Sequence, residues 1–362
     1  MCIMLEPLDY RANRFAGNID KMIRALGLLI RFSYHGLHRF YLKSGFKVNC
    51  IIISASGTKT FTQEQLRRLN NTADVHFHAQ PDSIDTDKFV SLVKEFDYVG
   101  LTRRPLKNLD QDLLSQLPCL KGLAIYSTGY EWVDTAYLKG KGIVLSYLPD
   151  YSTITVAEHT IGMLLSLSRR FQLSNDYACQ RIDRSISLRG FELYGKTVGI
   201  IGYGRIGKRV AELLKPFGVT LLWYDIEKKS DDDLCYSSFD TLIQKADIII
   251  ITASKKRDAE PVIGYNEISS MKHGVVIVNS SRADLVDNNA MVSALISKKV
   301  FSYAVDDIVP ALKNENIEPG RVFETSHTAW YSTEAIARGT QMWVDNIIGL
   351  LQGKPVNVVG RI

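Results

Sequence analysis

The sequence predicts an α/β protein with two doubly wound parallel β-sheets, each in its own domain. Short apolar runs of strand length alternate with helical segments along most of the 362 residues. These runs are apolar throughout, as in strands that are covered on both faces. They form two groups on either side of a long helical segment, and a chain of this length has room for two domains.

The first group of strands and helices extends from residue 48 to about residue 150. Four apolar runs predict strands: VNCIIIS, DYVGL, LKGLAIYST and IVLSYL. Three segments between the strands predict helices: TQEQLRRL, LDQDLLSQL and VDTAYLKGKG. Thr62 begins the first of these segments and is a predicted N-cap.

The second group follows the segment TVAEHTIGMLLSLSRRFQLSNDYA, which predicts one long helix that connects the two sheets. Arg169 and Arg170 lie near the middle of this predicted helix. Five more strands are predicted: KTVGIIGYG, VTLLWYD, ADIIIITAS, GVVIVNSS and FSYAVDD. A last helix is predicted over about residues 332–352.

The net charge of +5 comes from the first 47 residues, which hold eight basic and three acidic side chains. The other 315 residues hold 36 of each sign, so they give no indication of a nucleic-acid surface. The apolar run of this basic arm, residues 25–30, is shorter than the roughly 20 residues of a membrane span. The arm is predicted to be an extra helix packed on the body or a poorly ordered extension. A helix that binds a membrane surface or a partner is the alternative.

The five cysteines are scattered and form no CxxC pair. This spacing argues against a zinc site and against a disulfide framework. It is typical of a protein in a reducing compartment, and we therefore expect a cytoplasmic protein.

A dinucleotide fingerprint lies in the second group. The segment GYGRIG supplies Gly202, Gly204 and Gly207 between a predicted strand and a predicted helix, with Arg205 and Ile206 at the start of that helix. Asp225 ends the next strand, 18 residues after Gly207. An acid at this place accepts hydrogen bonds from a ribose and repels a 2′-phosphate, which favours NAD over NADP. The nearby Lys228 and Lys229 keep NADP open as the alternative.

Three polar residues follow the later strands. Arg282 comes after GVVIVNSS, Asp306 ends the FSYAVDD run, and His327 lies in ETSHTAWYSTEA. An arginine presents a planar fork to a carboxylate and polarises the neighbouring carbonyl, and a histidine exchanges the hydroxyl proton as hydride moves. This pair suits a 2-hydroxy acid. The competing interpretations are a surface salt bridge for Arg282 and an ordinary loop histidine for His327.

The chain resembles the D-isomer-specific 2-hydroxyacid dehydrogenase family from about Val48 to its C-terminus. The motifs that carry the resemblance are STGYEWVD, VAEHTIGMLLSLSRR, GYGRIG, NSSRADLVD, HTAWYSTEA and DNIIGLLQGKPVNVV. Residues 1–47 lie outside it. The segment HTAWYS is especially similar to the C-terminal-binding-protein branch, in which a tryptophan at the position of Trp330 lines the substrate pocket.

The resemblance implies a Rossmann NAD-binding domain, residues 151–327, inserted into a flavodoxin-like substrate domain, residues 48–150 plus 328–362. It also implies a homodimer and an active site in the cleft between the domains. By their matching positions, Thr252, Ser280 and Asp306 are assigned to the cofactor. Arg103, Arg104, Gly129 and Trp330 are assigned to the substrate. A solvated charge pair is the alternative for the two arginines. No metal is expected.

One catalytic residue of the family is missing at its expected place. The family has a glutamate that hydrogen-bonds the histidine, five residues after the Asp306 position and usually just before a proline. Here the residue five positions after Asp306 is Ala311, and the residue just before Pro310 is Val309. Neither is acidic. Asp307 should point away from the site, and Glu315 could take the role from a loop.

Two main hypotheses follow from the sequence. The first is an NAD-dependent oxidoreductase that interconverts a 2-oxo acid and a D-2-hydroxy acid, with His327 as acid/base and Arg282 on the substrate carboxylate. The second is an NAD(H)-binding regulatory or corepressor-like scaffold with little turnover. A third hypothesis is that the protein acts on a different acidic substrate, such as a phosphonate.

Overall fold

The computed structural model describes residues 48–183, 185–227, 235–254, 259–314 and 316–360. The basic arm, the two lysines at 228 and 229, and Glu315 lie outside these residues, and so do the predictions made for them. The chain divides into two compact units. The first unit comprises residues 48–127, Asp134–Leu148 and residues 340–360, and the second comprises Thr128–Val133 and Pro149–Gly339.

The first unit is built on a five-stranded parallel sheet in the order β2-β1-β3-β4-β5. This is the order of doubly wound flavodoxin-like sheets. The sequence did not predict β2, an edge strand whose polar residues are partly buried or exposed. The strands are β1 Asn49–Ser54, β2 Asp74–Ala79, β3 Tyr98–Thr102, β4 Gly122–Tyr126 and β5 Val144–Ser146.

Four helices connect the strands of the first unit. Thr62 begins the first as predicted, because its side chain accepts a hydrogen bond from the Gln65 backbone while Gln65 bonds back to the Thr62 N–H. The other three begin at aspartate N-caps. The helices are α1 Gln63–Asn70, α2 Thr86–Val93, α3 Gln111–Leu114 and α4 Thr135–Gly140.

The second unit is built on a six-stranded parallel sheet in the order β11-β10-β9-β8-β6-β7. A parallel bridge between Trp223 and Tyr236 adds one more residue beyond β7. The chain moves outward from β6 to β7 and then returns to the other side of β6, which makes a topological switch point between β6 and β8. The strands are β6 Thr197–Ile201, β7 Thr220–Tyr224, β8 Ile248–Ile251, β9 Val275–Asn279, β10 Val300–Val305 and β11 Val322–Glu324.

Helices pack on both faces of this sheet, and the sheet with its helices encloses two apolar clusters. All four residues of β8 are fully buried, as expected for a central strand. The two parallel-sheet units confirm the predicted fold class. The helices are α5 Thr153–Ser168, α6 Phe171–Ala178, α7 Arg205–Leu214, α8 Phe239–Lys245, α9 Tyr265–Ser270 and α10 Asn288–Ile296.

The single long helix predicted across Arg169 and Arg170 was wrong. The chain forms two helices, α5 and α6, both in the second unit. Arg170 has a left-handed backbone with φ 52°, which no helix continues through. The carbonyl of Ser168 accepts a hydrogen bond from the Phe191 N–H at 2.8 Å instead of from the next helical turn. A neighbouring segment, distant in sequence, therefore ends α5.

The last helix, α11 Thr333–Leu351, begins in the second unit and ends in the first. Its bounds agree with the predicted helix to within one residue. In the part of the chain that the structure describes, no helix has both the length and the apolar character needed to cross a membrane.

Candidate active site

The parallel order of the second sheet brings five predicted site residues to one end of it. Gly202, Thr252 and Ser280 directly follow the neighbouring strands β6, β8 and β9. Asp306 directly follows β10, and His327 comes three residues after β11. Because all the strands run the same way, these residues lie at the carboxyl end of the sheet, where open α/β sheets bind their ligands.

The glycine turn, residues 202–207, needs glycine at two of its positions for steric reasons. Gly202 has φ 92°, and a Cβ on it would come within 2.4 Å of the Ala253 backbone. A Cβ on Gly207 would come within 2.2 Å of the Gly202 carbonyl oxygen. The turn therefore packs tightly against the end of β8 and against helix α7.

Gly204 differs, because no neighbouring protein group requires a glycine there. A Cβ there would meet no atom within 4 Å, and its backbone is extended, with φ −76° and ψ −160°. It stands at the start of α7. The N–H groups of Arg205, Ile206 and Gly207 come before the first intrahelical hydrogen bond, which the Lys208 N–H donates to the Gly204 carbonyl. Open space beside unpaired N–H groups at a helix N-terminus fits the pyrophosphate of a dinucleotide.

Polar side chains hold this turn in place. The Asp225 carboxylate accepts hydrogen bonds from the Tyr203 N–H at 2.7 Å and from the Glu227 N–H at 3.1 Å. The Thr252 hydroxyl donates to the Gly202 carbonyl at 2.6 Å. Asp225 thus fixes the turn as well as standing at the predicted ribose position. Its contact with a ribose stays a prediction.

Other predicted cofactor residues are held by neighbouring groups. The guanidinium of Arg205 donates to the Pro149 carbonyl, and its contact with the cofactor stays a prediction. The Ser280 hydroxyl accepts a hydrogen bond from Thr160 of α5 at 2.8 Å. Ser280 therefore has a fixed orientation after β9.

Arg282 is paired with an acid that the sequence analysis did not select. Its Nε donates to Oε1 of Glu131 at 3.0 Å, and the two side chains are 34% and 25% exposed. Nη1 is 3.4 Å from the Ser281 carbonyl oxygen. Glu131 belongs to the STGYEWVD segment, one of the motifs that carry the family resemblance. Nothing in that motif marks its glutamate as a site residue.

The His327 loop, residues 325–329, is held by Asp306. This carboxylate, 3% exposed, accepts hydrogen bonds from the Thr325 hydroxyl at 2.6 Å, the Thr328 N–H at 2.8 Å and the Ala329 N–H at 2.9 Å. His327 lies between these anchors with its side chain exposed and its backbone at φ 56°. A left-handed histidine costs on the order of 1–3 kcal/mol, and the three bonds to Asp306 offset that cost.

A second histidine supports the same loop from helix α5. His159 Nε2 is 3.2 Å from the Thr325 hydroxyl and 3.9 Å from Oδ1 of Asp306. Burial lowers the pKa of His159, and the nearby charge of Asp306 opposes this effect. The predicted nicotinamide contact of Asp306 stays a prediction, since both of its oxygens already bind the loop.

No carboxylate in the described ranges is within ion-pair distance of His327. Val309, one expected position, is 3% exposed and packs in an apolar cluster. Ala311, the other, is exposed in the 3-10 turn Pro310–Lys313. The nearest acid along the chain, Glu324, accepts a hydrogen bond from the Val309 N–H at 2.7 Å. Glu315, the alternative partner of His327 in the sequence analysis, lies outside the described residues.

The predicted substrate residues belong to both units. Trp330 makes edge contacts with Tyr151 and Tyr331, at ring-centroid distances of 6.1 and 5.2 Å. Arg103 and Arg104 are exposed in the loop after β3 of the first unit, and Arg103 donates to the Leu106 carbonyl there. Their roles stay predictions.

Comparison with known proteins shows the family. The model of the D-isomer specific 2-hydroxyacid dehydrogenase NAD-binding domain matches residues 161–329. A glyoxylate reductase of Aeropyrum pernix is 30% identical over 324 residues, covering 84% of this chain and 95% of that protein. The chain belongs to this dehydrogenase family. A glycerate dehydrogenase of Methylorubrum extorquens is 31% identical over 260 residues, covering 68% of this chain and 81% of that protein.

A solved structure of an acyclic imino acid reductase in complex with NADPH and D-Arg is similar to this one. The TM-score is 0.76 at 26% identity, and the match covers 85% of this chain and 99% of that chain. The second unit thus carries the NAD-binding Rossmann domain of an oxidoreductase, and the glycine turn fits that cofactor. The sequence-based predictions of an enzyme and of a nicotinamide cofactor are confirmed.

Proposed function

We propose that this dehydrogenase interconverts a 2-oxo acid and the corresponding D-2-hydroxy acid, with Arg282 binding the substrate carboxylate and His327 acting as acid/base. The supporting observation is the placement of both residues at the carboxyl end of one sheet. Arg282 follows β9 and His327 follows β11, two strands away, while the glycine turn follows β6 at the same end.

The cofactor would be held by the glycine turn, by the first N–H groups of α7 and by Asp225. Thr252 and Ser280 stand on the neighbouring strand ends. NAD(H), when bound, supplies or accepts the hydride. The carboxylate of Asp225 favours the unphosphorylated ribose.

Arg282 serves the substrate carboxylate through its free nitrogen. Its Nε is taken by Glu131, and Nη2 has no hydrogen-bond partner in the described part of the chain. A guanidinium nitrogen beside the carboxylate also polarises the adjacent carbonyl, because its positive charge stabilises the developing alkoxide.

His327 exchanges a proton with the 2-oxygen of the substrate. In the reductive direction the imidazolium gives its proton to the alkoxide, and in the oxidative direction the neutral ring takes the proton back. The exposed, left-handed position of His327 presents the ring to solvent and substrate, and Asp306 fixes that position through the loop backbone.

The aromatic side chains of Trp330 and Tyr151 are consistent with an apolar or bulky substituent on the acid. The relatives bear the names of enzymes for small acids, glycerate and glyoxylate. We propose that the first unit is the substrate domain, with Arg103 and Arg104 as its anion contacts, and that the protein is a cytoplasmic homodimer.

A second candidate function is an NAD(H)-binding regulatory protein like the C-terminal-binding-protein branch. One observation favours it: no carboxylate of the described residues bonds the ring of His327, so turnover could be slow. Trp330 also matches that branch at the substrate pocket.

An NADH oxidation assay separates the two functions. Pure protein is incubated with NADH and a panel of 2-oxo acids, and NADH affinity is measured independently by fluorescence. We expect the wild-type protein to turn over at least one 2-oxo acid. His327→Ala should lower this turnover on the order of 10²–10⁴-fold, while NADH affinity stays unchanged. Tight NADH binding without turnover on any acid contradicts the dehydrogenase and supports the regulatory protein.

A further inference from the structure

Glu131 forms a half-buried ion pair with the residue that we propose binds substrate. The Nε–Oε1 distance is 3.0 Å, and less than 35% of either side chain is exposed. Both residues belong to the second unit, so this contact is internal to one compact body. Glu131 thereby places a negative charge directly beside the positive charge of Arg282.

The surroundings of Gly129 locate the second carboxylate oxygen of Glu131 and the Nη2 atom of Arg282. A Cβ on Gly129 would come within 2.5 Å of Oε2 of Glu131 and within 2.6 Å of Nη2 of Arg282. Oε2 of Glu131 and Nη2 of Arg282 therefore lie against the same backbone position. Any acid that binds Nη2 of Arg282 meets the charge of Glu131 at close range.

We propose that Glu131 is a specificity-determining residue that selects singly charged 2-oxo acids over doubly charged ones such as dicarboxylates and phosphorylated acids. The inference rests on the proposed function, because it assumes that Arg282 receives the substrate carboxylate. An isolated arginine attracts a dianion more strongly than a monoanion. The Arg282–Glu131 pair has no net charge, so this advantage is lost, and the second negative charge of the substrate is repelled.

Partial burial makes the effect large enough to measure. Water screens charges poorly between groups that are mostly removed from solvent, so the repulsion persists at ordinary ionic strength. One nearby charge commonly moves a pKa by about one unit, which corresponds to about a tenfold change in an equilibrium constant. We expect a change of that size in the relative affinity for a dianion.

The test uses two analogues of nearly the same size and shape but different charge. Oxamate is a monoanion and oxalate is a dianion, and both imitate a small 2-oxo acid. Each is titrated into the protein–NADH complex, and the ratio of the two dissociation constants is measured. Turnover is not needed for this measurement.

Glu131→Gln is the test variant, because its amide oxygen still accepts the hydrogen bond from Nε while the charge is removed. We expect it to improve oxalate affinity relative to oxamate on the order of tenfold. Glu131→Asp keeps the charge and should keep the ratio near that of the wild type. Glu212→Gln is the control for total charge. It removes the acid of the Arg209–Glu212 ion pair on α7.

Three outcomes would overturn the proposal in distinguishable ways. An unchanged ratio in Glu131→Gln, in a protein that binds both analogues and turns over 2-oxo acids, refutes the selectivity and leaves the proposed function standing. A wild-type complex that binds neither analogue and oxidises no NADH refutes the proposed function together with the inference. An equal shift in Glu212→Gln also refutes the specific role of Glu131.

Discussion

The glycine turn and the His327 loop both contain a residue with positive φ, but they accommodate it in different ways. Each follows a parallel strand, contains a residue with positive φ and has at least one backbone N–H that donates to an aspartate. Gly202 has φ 92° near Asp225, and His327 has φ 56° near Asp306. Glycine adopts this conformation without strain, and histidine does not.

The difference lies in what stabilises the positive φ, the residue type or an external partner. In the glycine turn the residue type suits the conformation, so the turn is recognisable in sequence. In the His327 loop the conformation exposes the ring that we propose as acid/base, and a buried carboxylate that follows another strand holds the loop. Asp306 makes three hydrogen bonds to the loop, compared with one from Asp225 to the glycine turn.

The largest expected effect comes from removing the anchor of the His327 loop. Asp306→Ala leaves a hydroxyl and two N–H groups without their partner, so we expect about 3 kcal/mol less unfolding free energy. We expect kcat/KM to fall at least about a hundredfold because the ring of His327 is no longer placed. Urea denaturation and steady-state kinetics measure the two effects.

The neighbouring Asp307→Ala is the matched control, because Asp307 accepts a described hydrogen bond only from the adjacent Ile308 N–H. Its effect on stability should stay within about 0.5 kcal/mol. Equal effects of the two substitutions would show that Asp306 has no special role in the loop.

The two glycines of the turn should respond differently. Gly202→Ala forces a Cβ against the Ala253 backbone at positive φ, and we expect a loss of about 3 kcal/mol in stability. Gly204→Ala meets no protein atom, so stability should stay within about 0.5 kcal/mol while NADH affinity falls about tenfold. Thermal unfolding without cofactor and NADH titration separate these results. A Gly204→Ala protein with unchanged NADH affinity would contradict the placement of the pyrophosphate.

The smallest effect is expected from restoring an acid near the His327 loop. Ala311→Glu adds an exposed carboxylate, which would raise the pKa of a nearby histidine by about one unit. Because reduction needs the protonated ring, the reductive rate should persist to higher pH by about that amount. Val309→Glu places the acid in an apolar cluster, and we expect about 3 kcal/mol of destabilisation instead. Identical pH–rate profiles for Ala311→Glu and the wild type would show that residue 311 does not reach His327.

The sequence predicted most of the fold because its buried strands are continuous apolar runs. It missed β2 and β11, two of the four edge strands, because β2 is partly polar and β11 has only three residues, so neither forms a long apolar run. It also missed the break after α5, since Arg170 is an ordinary helix former and the break depends on a hydrogen bond from Phe191, more than twenty residues away.

The candidate site was predictable where a motif needs specific residue types. The glycine turn, Arg282 and His327 stand in such motifs. The pairing of Arg282 with Glu131 could not be predicted, because the two residues are 151 positions apart and Glu131 gives no signal of its own in the sequence. The role of Asp306 in the His327 loop was missed for the same reason: its partners lie 19 to 23 positions later.

The central claim is that the carboxylate partner in this site belongs to Arg282 and not to His327. A crystal structure of the complex with NADH and oxamate tests it most directly. We predict that Glu131 remains on Nε of Arg282, that the oxamate carboxylate lies on Nη2, and that His327 faces the 2-oxygen with no acid on its ring. A structure with Glu315 or any other carboxylate hydrogen-bonded to His327, or with Glu131 turned away from Arg282, would contradict the account.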